Sequence, residues 1–195
     1  MDLLKVDGSF VVCNRNDLQF LITQGSDDVQ VLHMICDTLG FGKVIKQGKR
    51  TSRFIVQDKR GLELIVSLFN GNLILPTRQR QFIEFMKAYN SKANNGKIQV
   101  SVITPIQSTI LPSLSDGWLS GLTDSEGCFT FWSNSKAFRI RYLVSQKGDI
   151  NLPILSHIIW LFKAGSIEAH SQNSHFSFII NGEKACYNVH PYFDK

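Results

Sequence analysis

The sequence has little of what marks a disulfide-stapled, zinc-bound or membrane-spanning protein. Its 195 residues include only four cysteines, Cys13, Cys36, Cys128 and Cys186, with no Cys-x-x-Cys pair. That spacing excludes a zinc ribbon and a dense disulfide framework, and it reads as reduced thiols placed mostly in the core. The five histidines lack zinc-type pairing, so His170 and His175 read as structural or nucleic-acid-facing side chains rather than metal ligands. No apolar run is long enough to cross a bilayer and no charged-then-apolar signal opens the chain, so no membrane partner is expected. Acidic residues are the scarcer charge, 16 against 21 Lys and Arg, giving a formal charge of +5 and a pI near 9.1. That balance favours a polyanionic partner without naming one.

What is present is a patterned segment, Trp118-Leu119-Ser120-Gly121-Leu122-Thr123-Asp124-Ser125-Glu126-Gly127-Cys128-Phe129. It reads as an apolar, small-residue helix ending in a carboxylate directly before a glycine and a strand. Ser115 is the expected N-cap and Gly127 the expected left-handed stop. A carboxylate in the last turn faces the negative end of the helix dipole, and a bound cation is the natural compensator. Gly121 and Ser125, four apart, leave a smooth stripe for close helix packing.

The segment recurs. Asp7-Gly8-Ser9-Phe10 matches Glu126-Gly127-Cys128-Phe129 at an offset of 119, and Phe20 through Gln24 match Tyr142 through Gln146 at 122. Gly42 matches Gly165 at 123, while Phe54-Ile55-Val56 and Phe69 match Phe178-Ile179-Ile180 and Phe193 at 124. An offset that climbs slowly and never reverses is the mark of one fold copied twice with small insertions. Two such halves in one chain make an internal pseudo-dimer, so a monomer is expected.

Each half reads as helix end, two strands, helix, two strands, helix. In the first, alternation predicts strands over 10–13 and 18–23, with turn chemistry at 14–17. A helix capped by Ser26 follows over 27–39, a second hairpin over 43–47 and 52–57, then helices over 61–69 and 77–89. In the second, strands are predicted over 128–134, 138–146, 167–171 and 175–181, with a helix over 152–162. The resulting organisation is a first repeat at 1–90, a linker at 91–114 and a second repeat at 115–195. Residues 98–110 are β-prone and read as a tether along the body.

The repeated segment resembles the signature helix of the LAGLIDADG homing endonucleases, and the resemblance covers nearly the whole chain. It implies an α+β fold of two pseudo-symmetric αββαββα repeats, each an antiparallel DNA-binding sheet backed by helices. It implies divalent-metal-dependent hydrolysis of double-stranded DNA, with Asp7 and Glu126 as the metal-binding acids and Mg²⁺ or another divalent cation as cofactor. Paired carboxylates suit a hard cation, which lets both stay ionised. By the same resemblance Gln24 and Gln146 organise solvent, and Lys87 is a basic residue near the reacting phosphate. The alternatives are solvated strand ends for the glutamines and a solvated helix face for Lys87.

Strand alternation sorts the rest. Phe10, Val12, Phe20, Ile22, Phe129 and Phe131 are expected to face the helices. Arg15, Gln19, Thr130, Trp132, Asn134, Arg139 and Arg141 are expected on the opposite face, with Lys46, Gln47, Arg50, Arg53 and Ser177 from the other hairpins. A twisted sheet carrying Arg, Gln and Asn fits the major groove, where bidentate pairing reads bases. Measured against the second copy, the first signature helix lacks most of its length before Asp7, and the second repeat lacks a counterpart to the helix bearing Lys87. Weak or absent cleavage by this stretch alone is therefore expected. The function implied is a homing endonuclease of an organellar group I intron, mitochondrial or else chloroplast. An RNA maturase acting on intron RNA and a non-cleaving nucleic-acid-binding protein remain as alternatives.

Overall fold

A computed structural model describes residues 8–13, 17–94, 102–108, 110–134 and 137–194. The chain divides into two compact units, one holding residues up to Ile74 together with Arg78–Ile110, the other Leu75–Thr77 with residues from Leu111 onward.

In the first unit β1 (Ser9–Val12), β2 (Leu18–Gly25), β3 (Lys43–Gln47) and β4 (Thr51–Val56) form an antiparallel sheet ordered β1-β2-β4-β3. Its backing helices are α1 (Val29–Leu39), α2 (Lys59–Phe69) and α3 (Pro76–Asn94). Alternation decides the sides. Leu18, Phe20 and Ile22 on β2 and Phe54 and Val56 on β4 are buried against Leu32, Ile65, Phe69, Phe85 and Met86. Each such side chain contributes about 1.5–3 kcal/mol. Asp58 caps α2, its carboxylate accepting from the Gly61 amide at 2.8 Å. Gly40, at φ 72°, ends α1 in the left-handed conformation that glycine adopts without cost.

The second unit repeats the pattern. Helix α4 (Trp118–Glu126) leads into β5 (Gly127–Asn134) and β6 (Ala137–Lys147), followed by α5 (Leu152–Phe162), β7 (Ser166–Ala169) and β8 (His175–Asn181). The sheet order is β5-β6-β8-β7, the same as in the first unit. Two short helices, α6 (Glu183–Tyr187) and α7 (His190–Phe193), complete the described residues. Tyr142, Val144, Ile158, Phe178 and Ile180 form the core.

Several expectations need correction. Gly127 is extended, at φ −118° and ψ 168°, not left-handed. Glycine is required there by proximity, since a Cβ would meet Thr123 Cα at 2.9 Å and Leu143 O at 3.1 Å. Ser115 does not cap α4; Asp116 does the comparable work, its Oδ1 accepting from the Trp118 amide at 3.0 Å. Phe129 and Phe131 have helix-side parity yet are 52% and 64% exposed, because too little packs over them. Cys128 is exposed rather than core. The described part of the tether, 102–108 and 110, forms no strand. Asn90 instead brackets it, accepting from Ile103 N at 3.0 Å and donating to Ile103 O at 2.8 Å. Asn70 does the same to Thr104 O and Ile106 N. No helix among the described residues is long and apolar enough to cross a membrane.

Candidate nucleic-acid interface and acid position

The faces turned away from the helices are set by register. On the first sheet Thr23 pairs with Arg53, which pairs in turn with Ile45, so these share the outer face with Gln19, Lys43 and Gln47. Arg53 Nε donates to Thr23 Oγ1 at 3.1 Å, which fixes the direction of the guanidinium. Lys46 does not belong to this face. It pairs with buried Ser52, on the helix-side parity, and is exposed only because it lies near the strand end. Lys43 takes the outward position instead. Arg50 is exposed in the hairpin turn, and Arg15 lies outside the described residues.

On the second sheet the register places Thr130 beside Arg141 and Trp132 beside Arg139. The Arg139 guanidinium lies 5.9 Å from the Trp132 ring centre, a cation–π distance. Arg141 Nη2 is 3.8 Å from Glu168 Oε2 in a half-exposed pair, which holds the guanidinium only weakly. Asn134 closes β5 opposite Ala137; only its backbone is described. Ser177 is on the outer parity but only 2% exposed. Its hydroxyl lies 2.6 Å from both Ser145 Oγ and His170 Nε2, so exposed His170 stands over it. Thr23 and Lys43 are the members of this face that reading the sequence missed, while His170 was singled out only as one of two histidines that are not zinc ligands.

Glu126 is the last residue of α4 and is exposed. The helix beneath it is anchored twice. Tyr192 Oη donates to Asp116 O at 2.8 Å and accepts from Ser120 N at 3.1 Å. One turn before Glu126, Thr123 Oγ1 reaches Leu119 O at 2.7 Å and Tyr142 Oη at 2.8 Å. With the Thr123 proton spent on Leu119, the phenol donates to Thr123. Burial pushes the Tyr142 phenol well above its ordinary value.

The paired glutamines end the core-facing parity of β2 and β6. Gln24 is half-buried opposite Ser52. Gln146 is 8% exposed and accepts from Asn151 Nδ2 at 3.3 Å. Asn151, 1% exposed, also donates to Lys147 O at 3.0 Å and Thr77 Oγ1 at 3.1 Å, and it was not singled out in the sequence. Lys87 lies on the exposed face of α3 and pairs with Glu84 at 2.6 Å. Asp7 lies outside the described residues.

A carboxylate at the carbonyl end of a helix is an oxygen donor in a negative local field, chemistry that fits a hard divalent cation. Among the described residues no three His, Cys, Asp or Glu side chains gather into a metal cluster.

Comparison with known proteins gives a consistent picture. A family model described as LAGLIDADG endonuclease matches residues 6–89 and 119–195. A protein of Neurospora crassa named "Probable intron-encoded endonuclease 4" is 43% identical over 151 residues, 73% of this chain and 27% of that protein. The cox1 intron-2 37.2 kDa protein of Schizosaccharomyces pombe is 24% identical over 158 residues, 78% of this chain and 46% of that protein. The chain thus spans less than half the length of either relative. Among solved structures, I-AabMI bound to uncleaved DNA superposes with a TM-score of 0.79 at 17% identity, covering 99% of this chain and 81% of that one. I-SmaMI bound to uncleaved DNA with calcium ions gives 0.77 at 15% identity, covering 98% and 82%. Those identities speak to fold.

Proposed function

The chain belongs to the LAGLIDADG endonuclease family, and from that premise we propose that it is part of a homing endonuclease encoded by a mitochondrial group I intron, acting on a long double-stranded DNA site. The observation that carries this reading is the pair of one-sided sheets. Each leaves uncovered a face on which arginine stands beside glutamine, threonine or an aromatic ring. Arginine in a fixed direction pairs with guanine O6 and N7, and glutamine pairs with adenine, so Gln19, Gln47, Arg53, Arg139 and Arg141 are assigned to base reading. Arg15, Lys46, Arg50, Thr130, Trp132, Asn134 and Ser177 are assigned to the same duplex. For Lys46 the contact is a strand-end phosphate, and for Ser177 it is made through His170. That I-SmaMI and I-AabMI were solved on DNA supports the partner.

Asp7 and Glu126 are proposed to hold the divalent cation, Mg²⁺ being the hard oxygen-seeking ion expected. Such a cation, when bound, lowers the pKa of a water and stabilises a leaving oxygen. The anchors Tyr142 and Tyr192 hold Glu126 in place by fixing α4 on its sheet. Gln146, with its amide fixed by Asn151, and Gln24, at the matching strand end, are proposed to orient solvent. Lys87 is proposed to offset phosphate charge. The fungal, intron-encoded nature of the first relative supports a mitochondrial location; the relatives lend no support to a chloroplast or to the maturase alternative.

The test uses the chain together with whatever its reading frame encodes on either side, challenged with a duplex library in Mg²⁺. Site-specific double-strand cutting that Glu126→Gln abolishes is the expected result. Undiminished cutting by that variant would overturn the active-site assignment.

A further inference from the structure

Three side chains on the outer face of the second sheet form an unbroken hydrogen-bonded row across its strands. Ser145 on β6 stands opposite Ser177 on β8 in register, with 2.6 Å between the two hydroxyl oxygens. On the far side of Ser177, His170, just past the end of β7, brings its Nε2 to 2.6 Å from the same oxygen. The His170 amide donates to His175 O at 2.9 Å, which holds the ring in that place. Ser177 is 2% exposed, whereas Ser145 is half-buried and His170 is exposed. The row therefore connects a ring in solvent to a hydroxyl on the sheet face through a serine that water does not reach.

Burial leaves the Ser177 hydrogen two destinations among the described residues, Ser145 Oγ or His170 Nε2. A hydroxyl has one hydrogen, so the direction of the row follows from the ring. When Nε2 is bare, Ser177 donates to it. Ser145 must then donate to Ser177, because so short a contact between two oxygens needs a hydrogen between them. The outer face is left with the Ser145 lone pairs. When Nε2 carries a hydrogen, the ring donates to Ser177, Ser177 donates to Ser145, and the Ser145 hydrogen is turned outward. Histidine gains its second ring hydrogen between about pH 5 and 8, where other ordinary side chains keep their charge. The charged groups facing the ring are Glu168 on β7, whose carboxylate lies 3.8 Å from the Arg141 guanidinium, Lys147 at the end of β6, and His175 opposite Lys147 on β8. The turn between β7 and β8 carries no charged residue. His175 directs Nδ1 to Asn173 O at 3.1 Å, outside the row.

We propose that Ser145 is a base-reading residue whose hydrogen-bond sense, acceptor or donor, is set through Ser177 by the protonation of His170. This rests on the reading of the sheet face as a duplex surface. Base edges in the major groove differ in the same respect: cytosine N4 donates, whereas guanine O6 and N7 and thymine O4 accept. With a neutral ring, Ser145 matches a donor edge; with a charged ring, it matches an acceptor edge. The charged ring also adds a cation to the face, which attracts phosphate. His170 is a positioning residue acting through Ser177, and Ser145 is the group that meets the base.

The experiment has two arms, both on the 195-residue chain. Nitrogen NMR of the histidine rings, without DNA, should show His170 Nε2 bare at about pH 8 and carrying a hydrogen at about pH 6. A hydrogen on Nε2 at both overturns the proposal. Anisotropy at the same two pH values then follows binding to the preferred duplex and its single-base variants. The expected result is a base preference at one position that moves from a donor edge to an acceptor edge on acidification, by about threefold or more, as one hydrogen bond gives. The dependence of affinity on salt should also steepen on acidification, by about one unit of log–log slope more in the wild type than in His170→Gln. Ser145→Ala should abolish the change of preference and keep the change of slope. His170→Gln, neutral at every pH, should abolish the change of preference, and His175→Gln should keep it. Binding without a pH-dependent preference, or a change of preference that survives His170→Gln, overturns the proposal and leaves the duplex surface standing. Failure to bind any duplex at either pH overturns both.

Discussion

Asn151 and Gln146, five residues apart and both almost fully removed from solvent, are joined side chain to side chain at 3.3 Å. The same Asn151 amide also binds Thr77 Oγ1 and the Lys147 carbonyl, so a single buried side chain satisfies three partners. Such a node is costly to break, since each partner stranded in a low-dielectric interior costs about 1–3 kcal/mol. Asn151→Ala should lower unfolding stability by about 3 kcal/mol in denaturant titration. A loss below about 0.5 kcal/mol would show that water replaces the amide there.

Salt and charge should govern affinity for duplex DNA. Binding to any duplex should weaken steeply as salt rises, because phosphate contacts release counterions. Arg139→Ala should cost about 1–3 kcal/mol on the preferred site and less elsewhere. Glu168→Gln should act in the opposite sense, tightening binding severalfold by freeing Arg141 and removing a carboxylate from the sheet face. Fluorescence anisotropy across a salt series checks all three.

Alkaline pH should expose Tyr142. Its folded-state pKa is raised above the unfolded value of 10.0 by burial. The native state therefore holds this proton more tightly than the unfolded chain does. The stability tied to it is fully present below pH 10 and is lost as pH climbs through the folded value. Tyr142→Phe should flatten the alkaline limb of a stability–pH curve, at a cost of about 1 kcal/mol near neutrality from the lost bond to Thr123. An unchanged alkaline limb would place the responsible proton elsewhere.

Gly127→Ala should be poorly tolerated although the glycine is in an extended conformation. The added methyl would press on Thr123 backbone atoms and the Leu143 carbonyl, none of which is a flexible side chain. A loss of about 1–3 kcal/mol is expected by denaturant melts. The displacement would fall on Glu126, so in a cleaving form kcat should drop more than stability alone explains.

Glu126→Gln should leave fold and duplex affinity unchanged while abolishing cleavage, since the amide keeps the shape and removes the charge that holds the cation. Parallel binding and cutting assays on one preparation separate these outcomes. Lost affinity would mean that Glu126 positions the sheet rather than serving the chemistry.

The repeat made the architecture legible, because period-two alternation and turn residues recur in both halves at nearly constant offset. What escaped was whatever alternation cannot say. In β3, Val44 and Ile45 are adjacent and both apolar, so the phase of the strand is ambiguous and Lys46 was read as outward where register gives Lys43. Parity assigned Phe129 and Phe131 to the helix side but carries no information on whether a helix lies over them. Asn151 looks in sequence like any polar residue before a helix; its role depends on Thr77, seventy-four positions away. Ser177 has the expected parity and is nonetheless covered, because His170 closes over it from the neighbouring strand's end.

The stacking of Arg139 on Trp132 also gives the molecule an optical gauge. Of the three tryptophans, Trp118 is sealed in the core and Trp160 projects from α5, leaving Trp132 as the indole on the strand face. A guanidinium drawn from the ring towards a phosphate changes the polarity next to that chromophore. The emission of a Trp160→Phe chain would then report the arrival of a ligand at this sheet, against a constant Trp118 background and without any attached label.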